Sequence, residues 1–301
     1  MKVFVTGATG AIGRFVVPEL VGAGHDVSAL ARTDEKAAQL EHEGAHAVRV
    51  SLFDEGALKD AFGGHDAVCN LATSIPPVAK ALSLKNWAEN DRIRTEGSTA
   101  VVNAALHAGV ARLVQESITF TYPDRGAEWI DESVPIDPPP LGAAVADAEE
   151  NAARFSRAGG IGVVLRFGLF YGPGSDHTEQ FLKAARLHVA AVAGPGSAYQ
   201  SSIHLADAAT AVVAALALPA GIYNVTDDEP LTKKAYAEAL GAAVGKGSWV
   251  TVPGRMARAA GKQSEIMSRS QRVSNAAIKA ASDWAPKYPS AREGWEAIVH
   301  A

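Results

Sequence analysis

Short apolar runs alternate with amphipathic stretches along this chain. Val3-Phe-Val5 is uninterrupted apolar sequence, and Arg14 to Val21 then places Phe15, Val16 and Leu20 on one helical face. The rhythm repeats. Val27 to Ala31 is predicted as a second strand, and Asp34 can cap a helix running to about Glu43. Ala47 to Val50 reads as a third strand, followed by a short helix over Glu55 to Phe62. His65 to Ala72 is a fourth strand, and Trp87 to Ala108 is predicted as one long helix with Val101, Val102, Ala105 and Leu106 inward. Further strands are expected at Arg112 to Glu116, Ile161 to Phe167 and Gly221 to Thr226, with a helix from Leu231 to about Val244. This alternation predicts an α/β fold. It should be a seven-stranded, mostly parallel, doubly wound sheet with helices on both faces and right-handed crossovers.

The first strand runs into Gly7, Gly10 and Gly13 and then into the first helix. A strand turning tightly into a helix aims backbone N–H groups and the positive helix end at one point, where a pyrophosphate can sit. Glycine is required where a Cβ would block the phosphate or the helix–strand contact. The Gly-x-x-Gly-x-x-Gly spacing, preceded by Thr6, differs from the Gly-x-Gly-x-x-Gly of ordinary Rossmann dehydrogenases. It resembles the cofactor turn of the extended short-chain dehydrogenase/reductases.

Later segments carry the same resemblance. Gly168-Leu-Phe-Tyr-Gly-Pro-Gly174 is similar to that family's Arg-Pro-Gly-x-x-Tyr-Gly-Pro-Gly stretch, with Phe167 in the proline's place. Ser202-Ile-His204 with Asp207, Gly221-Ile-Tyr-Asn-Val, and the tail from Arg272 through Trp284 to Gly294 also match family segments. The resemblance implies a Rossmann-type nucleotide-binding domain at 1–168, to which 201–225 returns. A small C-terminal substrate lobe is expected from 169–200 and 226–301.

Resemblance also implies the cofactor contacts. Gly7, Thr9, Gly10, Ala11, Ile12 and Gly13 should hold the pyrophosphate. Ser51 and Leu52 fall where relatives place an Asp-Leu pair beside the adenine. Leu71, Ala72, Thr73 and Phe167 should face the ribose and nicotinamide. Arg32 ends the second strand where NAD-binding relatives carry an acidic residue for the ribose hydroxyls. A guanidinium can instead form a bidentate fork with a 2′-phosphate, which favours NADP over NAD, with NAD still possible.

The catalytic motif departs from the family. Short-chain dehydrogenases place a Ser or Thr after strand five and a Tyr-x-x-x-Lys on the next helix, where tyrosine moves the proton and lysine lowers its pKa. Here the six tyrosines are followed four residues later by Gly126, Ser175, Ile203, Asp227, Leu240 and Arg292, so no Tyr-x-x-x-Lys exists. Aligning Tyr122 puts Ile118 at the hydroxyl position, flanked by Ser117 and Thr119. The family's Tyr and Lys positions fall at Leu141 or Gly142 and at Val145 or Ala146. Arg94 stands in place of an asparagine that normally supports the lysine. Candidate proton-handling groups are therefore Tyr122, Thr119, Ser117 and Asp147, with Glu116, His177 or water as further sources. The cleft should be unusually apolar, which suits a hydrophobic ketone, enone or polycyclic metabolite and disfavours a sugar nucleotide.

Composition agrees with this picture. The 301 residues are 48% hydrophobic and 20% charged, with a net charge of −5, which invites neither nucleic acid nor an anionic membrane. Cys69 is the one cysteine, so no intramolecular disulfide forms. No apolar run is long enough to span a bilayer, and a cytoplasmic location is expected. His204 and Asp207 lack a nearby third ligand, so no metal is expected. The expected function is an NADP-dependent oxidoreductase acting on a hydrophobic small-molecule carbonyl or enone through a non-standard proton donor. The alternatives are a non-catalytic NADP-binding sensor of NmrA type and a non-redox enzyme on the same fold, catalysing cyclisation or dehydration. A homodimer through the helices at 87–108 and 142–158 is possible by analogy with the family.

Overall fold

A computed structural model of the protein describes residues 1–77, 80, 81, 83–190, 192, 194–246, 250, 251 and 268–300. Seven strands form the central sheet: β1 (Lys2–Thr6), β2 (Asp26–Leu30), β3 (His46–Val48), β4 (Ala67–Asn70), β5 (Arg112–Ile118), β6 (Ile161–Phe167) and β7 (Gly221–Val225). Their order is β7-β6-β5-β4-β1-β2-β3, and every pairing is parallel. The order reverses between β1 and β4, where Thr6 lies opposite Asn70. In open α/β sheets ligands bind at such a switch point, outside the carboxyl ends of the strands.

Helices cover both faces. On one side α1 (Gly13–Gly22) packs against α8 (Leu205–Ala215), over Val3, Val5, Val114 and Leu165. On the other side α3 (Glu55–Phe62), α5 (Ser98–His107) and α6 (Ala144–Arg157) cover Phe4, Val68 and Leu113. Each fully buried Val, Leu or Phe in these layers contributes about 1.5–3 kcal/mol by leaving water. A separate apolar cluster joins Tyr171, Leu182, Tyr236, Leu240 and Trp295. It draws on α7 (Asp176–Arg186), α9 (Lys233–Ala243) and the last helix, Ala291–His300. Asp207 ties this C-terminal part to α8 by accepting hydrogen bonds from the backbone N–H of Lys287 and Tyr288 at 2.8 and 3.1 Å.

The long helix expected over 87–108 is broken. A 3-10 turn at Leu84–Trp87 leads into α4 (Ala88–Arg92), then a single π turn at Ile93–Gly97, then α5. Hydroxyls explain the widening. Ser98 Oγ donates to the Arg94 carbonyl at 2.5 Å, and Thr95 Oγ1 donates to Asp91 at 2.9 Å, competing with the backbone ladder. Gly97 meanwhile packs tightly on Leu52, whose Cδ2 would lie 2.9 Å from an added Cβ. The third strand also ends at Val48 rather than Val50. Among the described residues, no helix is long and apolar enough to cross a membrane.

Candidate functional site

The glycine turn has the shape of a dinucleotide cradle. Gly7 sits at φ +69°, and an added Cβ would fall 2.5 Å from the carbonyl of Leu71 at the end of β4. At Gly13 the Cβ would meet the Gly7 oxygen at 2.2 Å, so both positions exclude any other residue. Gly10 closes the turn by donating to the Gly7 carbonyl at 2.9 Å. No side chain caps α1, and its first turn holds no acidic residue. The positive helix end therefore stays open for an anion, with Gly10 and Ala11 exposed beside it and Ile12 buried beneath.

Arg32 is exposed at the end of β2. Thr33, not Asp34 as expected, caps the following helix, α2 (Asp34–His42), its Oγ1 accepting from the Lys36 N–H. Lys36 turns back toward the glycine turn, and its Nζ donates to Thr9 Oγ1 at 3.1 Å. Sequence reasoning missed this second cation, although its place one turn into α2 after a threonine cap was readable. Asp34, the nearby acid, is occupied by Arg49. Ser51 is exposed and Leu52 half-buried. At the far end of the cradle Leu71 is buried, Ala72 half-buried and Thr73 exposed. The Phe167 side chain is fully enclosed against Phe170, so only its backbone is left to meet a cofactor.

The proton-handling candidates are differently placed. Tyr122, expected as a proton-handling group, is fully buried. Its hydroxyl donates to Asn224 Oδ1 and accepts from Arg166 Nη1, both at 2.8 Å. Burial raises its pKa further above the ordinary tyrosine range. Ser117 is also sealed and donates to Glu149 Oε1 at 2.5 Å. Arg166 grips the same carboxylate as a fork, Nε to Oε1 at 2.8 Å and Nη2 to Oε2 at 2.6 Å. Ser117, Glu149, Arg166, Tyr122 and Asn224 thus form one continuous buried network. Thr119 is 1% exposed, and its carbonyl accepts the Tyr122 N–H. Asp147 stands apart from these groups. It is exposed on the outer face of α6, in a groove of about 550 Å³ shared with Phe53, Glu96, Glu150 and Asn151. The helical spacing that buries Glu149 turns Asp147 away from it.

A second buried pair lies toward the carboxyl end of β5. Arg94, from the π turn, reaches Glu116 at the end of β5, and both side chains are under 5% exposed. Arg94 Nη2 donates to Oε1 at 2.9 Å. Unlike Arg166, Arg94 is half spent: Nε and Nη1 have no hydrogen-bond partner among the described residues. Ile118 and Phe120 are half-buried, and Leu141 and Val145 are buried. His177 is bonded to Ser175 Oγ at 2.8 Å and to the Phe170 carbonyl, and burial lowers its pKa. Among the described residues, no group of three His, Cys, Asp or Glu side chains is arranged to hold a metal ion.

Comparison with known proteins agrees with this geometry. Residues 3–226 match the model of the NAD dependent epimerase/dehydratase family. A Streptomyces 3-diazoavenalumate denitrifying reductase is 33% identical, over 98% of this chain and 99% of its own. A 4-hydroxy-2-methyl-3-oxo-4-farnesyl-3,4-dihydroquinoline-1-oxide ketoreductase of Stigmatella aurantiaca is 29% identical, over 89% of this chain and 81% of its own. Among solved structures, the human epimerase family protein SDR39U1 with NADPH superposes over 100% of this chain and 99% of its own, with a TM-score of 0.84 at 22% identity. With the glycine turn, the parallel sheet and the match across most of its length, the chain belongs to the NAD-dependent epimerase/dehydratase family, as an atypical extended short-chain dehydrogenase/reductase.

Proposed function

We propose that the protein is an NADP-dependent oxidoreductase that reduces a hydrophobic, conjugated small-molecule carbonyl or enone. The observation that carries this reading is the intact dinucleotide cradle, in which Gly7 and Gly13 leave no room for a Cβ. By the family resemblance, Ile118, Leu141 or Gly142, and Val145 or Ala146 fall where relatives carry polar groups, which points to an apolar reacting end. An apolar wall leaves the hydroxyls of a sugar nucleotide unpaired, at about 1–3 kcal/mol each. By their names the two relatives above are a denitrifying reductase and a ketoreductase, which supports a reductase.

When bound, the reduced nicotinamide supplies a hydride. The chain's own groups would place it: the turn over residues 7–13 and the α1 end would hold the pyrophosphate, and Leu71 to Thr73 would lie alongside the ribose. Arg32 and Lys36 would give the 2′-phosphate of NADP two cations, with Asp34 paired to Arg49. Calorimetric titration of NADPH and NADH tests this. Arg32→Ala and Lys36→Ala should each weaken NADPH by about 1.5–3 kcal/mol and leave NADH nearly unchanged. Equal wild-type affinities for the two cofactors would remove the NADP assignment.

The sealing of Tyr122 favours one other reading, a cofactor-binding sensor without turnover. Tight NADPH binding with no acceptor consumed across a panel of quinones, enones and ketones would select it.

A further inference from the structure

This inference rests on dinucleotide binding by the glycine turn, and on neither the NADP preference nor the substrate class. Arg14 is the second residue of α1, directly after Gly13. Its backbone N–H donates to the Gly10 carbonyl at 3.3 Å, which ties it to the turn itself. The half-buried side chain crosses to the start of the C-terminal lobe, 159 residues on, where Nη2 donates to the Pro173 carbonyl at 2.8 Å. Gly174 has a φ of +70°, and an added Cβ would lie 2.8 Å from Arg14 Nη1, so the guanidinium and that turn are closely packed. The turn is itself well bonded. Its Gly172 N–H donates to Thr178 Oγ1 at 3.1 Å, and His177 is bonded to both Ser175 Oγ and the Phe170 carbonyl. One side chain therefore joins the cofactor helix to the segment 170–178, which leads into α7.

Two features of Arg14 are unfavourable without a ligand. A cation in the first turn of a helix faces the positive end of the helix dipole, and α1 has neither a side-chain cap nor an acidic residue there to offset it. The guanidinium also has donors to spare. Among the described residues it pairs with no carboxylate, Nε is closed to water without an acceptor, and Nη1 donates to nothing. An anion at this end of α1 answers both the charge and the spare donors. We propose that Arg14 is a pyrophosphate ligand that also latches the C-terminal lobe, giving the phosphate oxygens its charge while Nη2 keeps the Pro173 carbonyl. Five N–H donors in a fixed plane allow both contacts at once, whereas the single ammonium of a lysine would have to choose. Cofactor binding then firms the segment 170–178, and by linkage the docked segment raises cofactor affinity.

Calorimetric titration of the full-length protein with NADPH and with NADH tests this, since both carry the pyrophosphate. Arg14→Ala should weaken the two by the same factor, about tenfold or more, whereas Arg32→Ala acts on NADPH alone. Hydrogen–deuterium exchange reads the latch. NADPH should slow exchange over residues 170–178 in the wild type and leave it unchanged in Arg14→Ala. Gly174→Ala crowds Nη1 from the lobe side and leaves the glycine turn intact. It should also weaken both cofactors, and it decides the matter if Arg14→Ala does not fold. Unchanged affinity in the folded variants, or a loss for NADPH alone, overturns the pyrophosphate contact. Equal slowing of exchange in the wild type and Arg14→Ala overturns the latch. Failure of the wild-type protein to bind either dinucleotide removes the cofactor reading itself, an outcome distinct from these.

Discussion

Replacing Tyr122 with phenylalanine removes one oxygen from the buried network and leaves the ring in place. That oxygen is bonded twice, to Asn224 and to Arg166, each at 2.8 Å. In Tyr122→Phe, Asn224 Oδ1 loses its donor and Arg166 Nη1 its acceptor, with the site fully closed to water. An unsatisfied buried partner costs about 1–3 kcal/mol. Arg166 keeps its fork on Glu149 and its stacking on the aromatic ring, 4.9 Å from the centroid, so the lower to middle part of that range applies. A loss of about 2 kcal/mol lowers the melting temperature by several degrees for a chain of this size. Chemical unfolding gives the free energy, and NADPH oxidation with a turned-over enone or ketone, at a temperature where both proteins are folded, gives kcat. The structural role predicts a stability loss with kcat within about threefold of wild type. A fall in kcat of about hundredfold or more with stability unchanged would show that Tyr122 reaches substrate as an acid, and would refute the argument.

Other outcomes follow from neighbouring features. Gly13→Ala should abolish NADPH binding in titration, since its Cβ would lie 2.2 Å from the Gly7 oxygen and something in the turn must shift; unchanged affinity would mean the turn does not hold the cofactor. His204 is buried, stacked on Tyr288 at 4.4 Å, and its pKa is lowered by burial to about 4. An unfolded histidine binds its proton near pH 6.5, so the unfolded state takes up more protons between these values. Stability is therefore present above about pH 6.5 and is lost as pH falls toward 4, by up to about 3 kcal/mol from this residue alone. A His204→Gln variant should show a shallower loss over that window in denaturant titrations; an identical slope would reject the assignment. If the helices at 87–108 and 142–158 form a homodimer, sedimentation at micromolar concentration should give twice the monomer mass, and a monomer there would exclude it.

Much of the scaffold was readable because parallel, doubly buried strands are written as apolar runs, and Val3-Phe-Val5, Ile161–Phe167 and Gly221–Val225 all appear where expected. Gly7 and Gly13 were readable for a related reason: their constraint is local, and the turn would clash with itself if either carried a side chain. The helix at 87–108 was not, because its interruption depends on hydroxyl contacts from Thr95 and Ser98 that leave no mark on hydrophobic periodicity. The missing Tyr-x-x-x-Lys was legible as an absence. What fills its neighbourhood was not. Glu149 and Asp147 are two residues apart on one acidic stretch, yet one is buried under Arg166 and the other lines an outer groove. Their assignment depends on how α6 docks on β5 and β6, which separations in sequence do not encode. The same holds for Arg94 and Glu116, 22 residues apart and joined only when the π turn packs beside the carboxyl end of β5.

The most direct test of the account is a crystal structure of the protein with NADP. The pyrophosphate should rest on the backbone at Ala11 to Gly13 and the 2′-phosphate between Arg32 and Lys36. The nicotinamide should lie beside Ala72, Thr73 and Ile118, with no Tyr, Lys, His, Asp or Glu side chain within about 3.5 Å of the space facing its reactive carbon. An ionisable side chain from any part of the chain pointing into that space, or a dinucleotide bound away from the glycine turn, would contradict it.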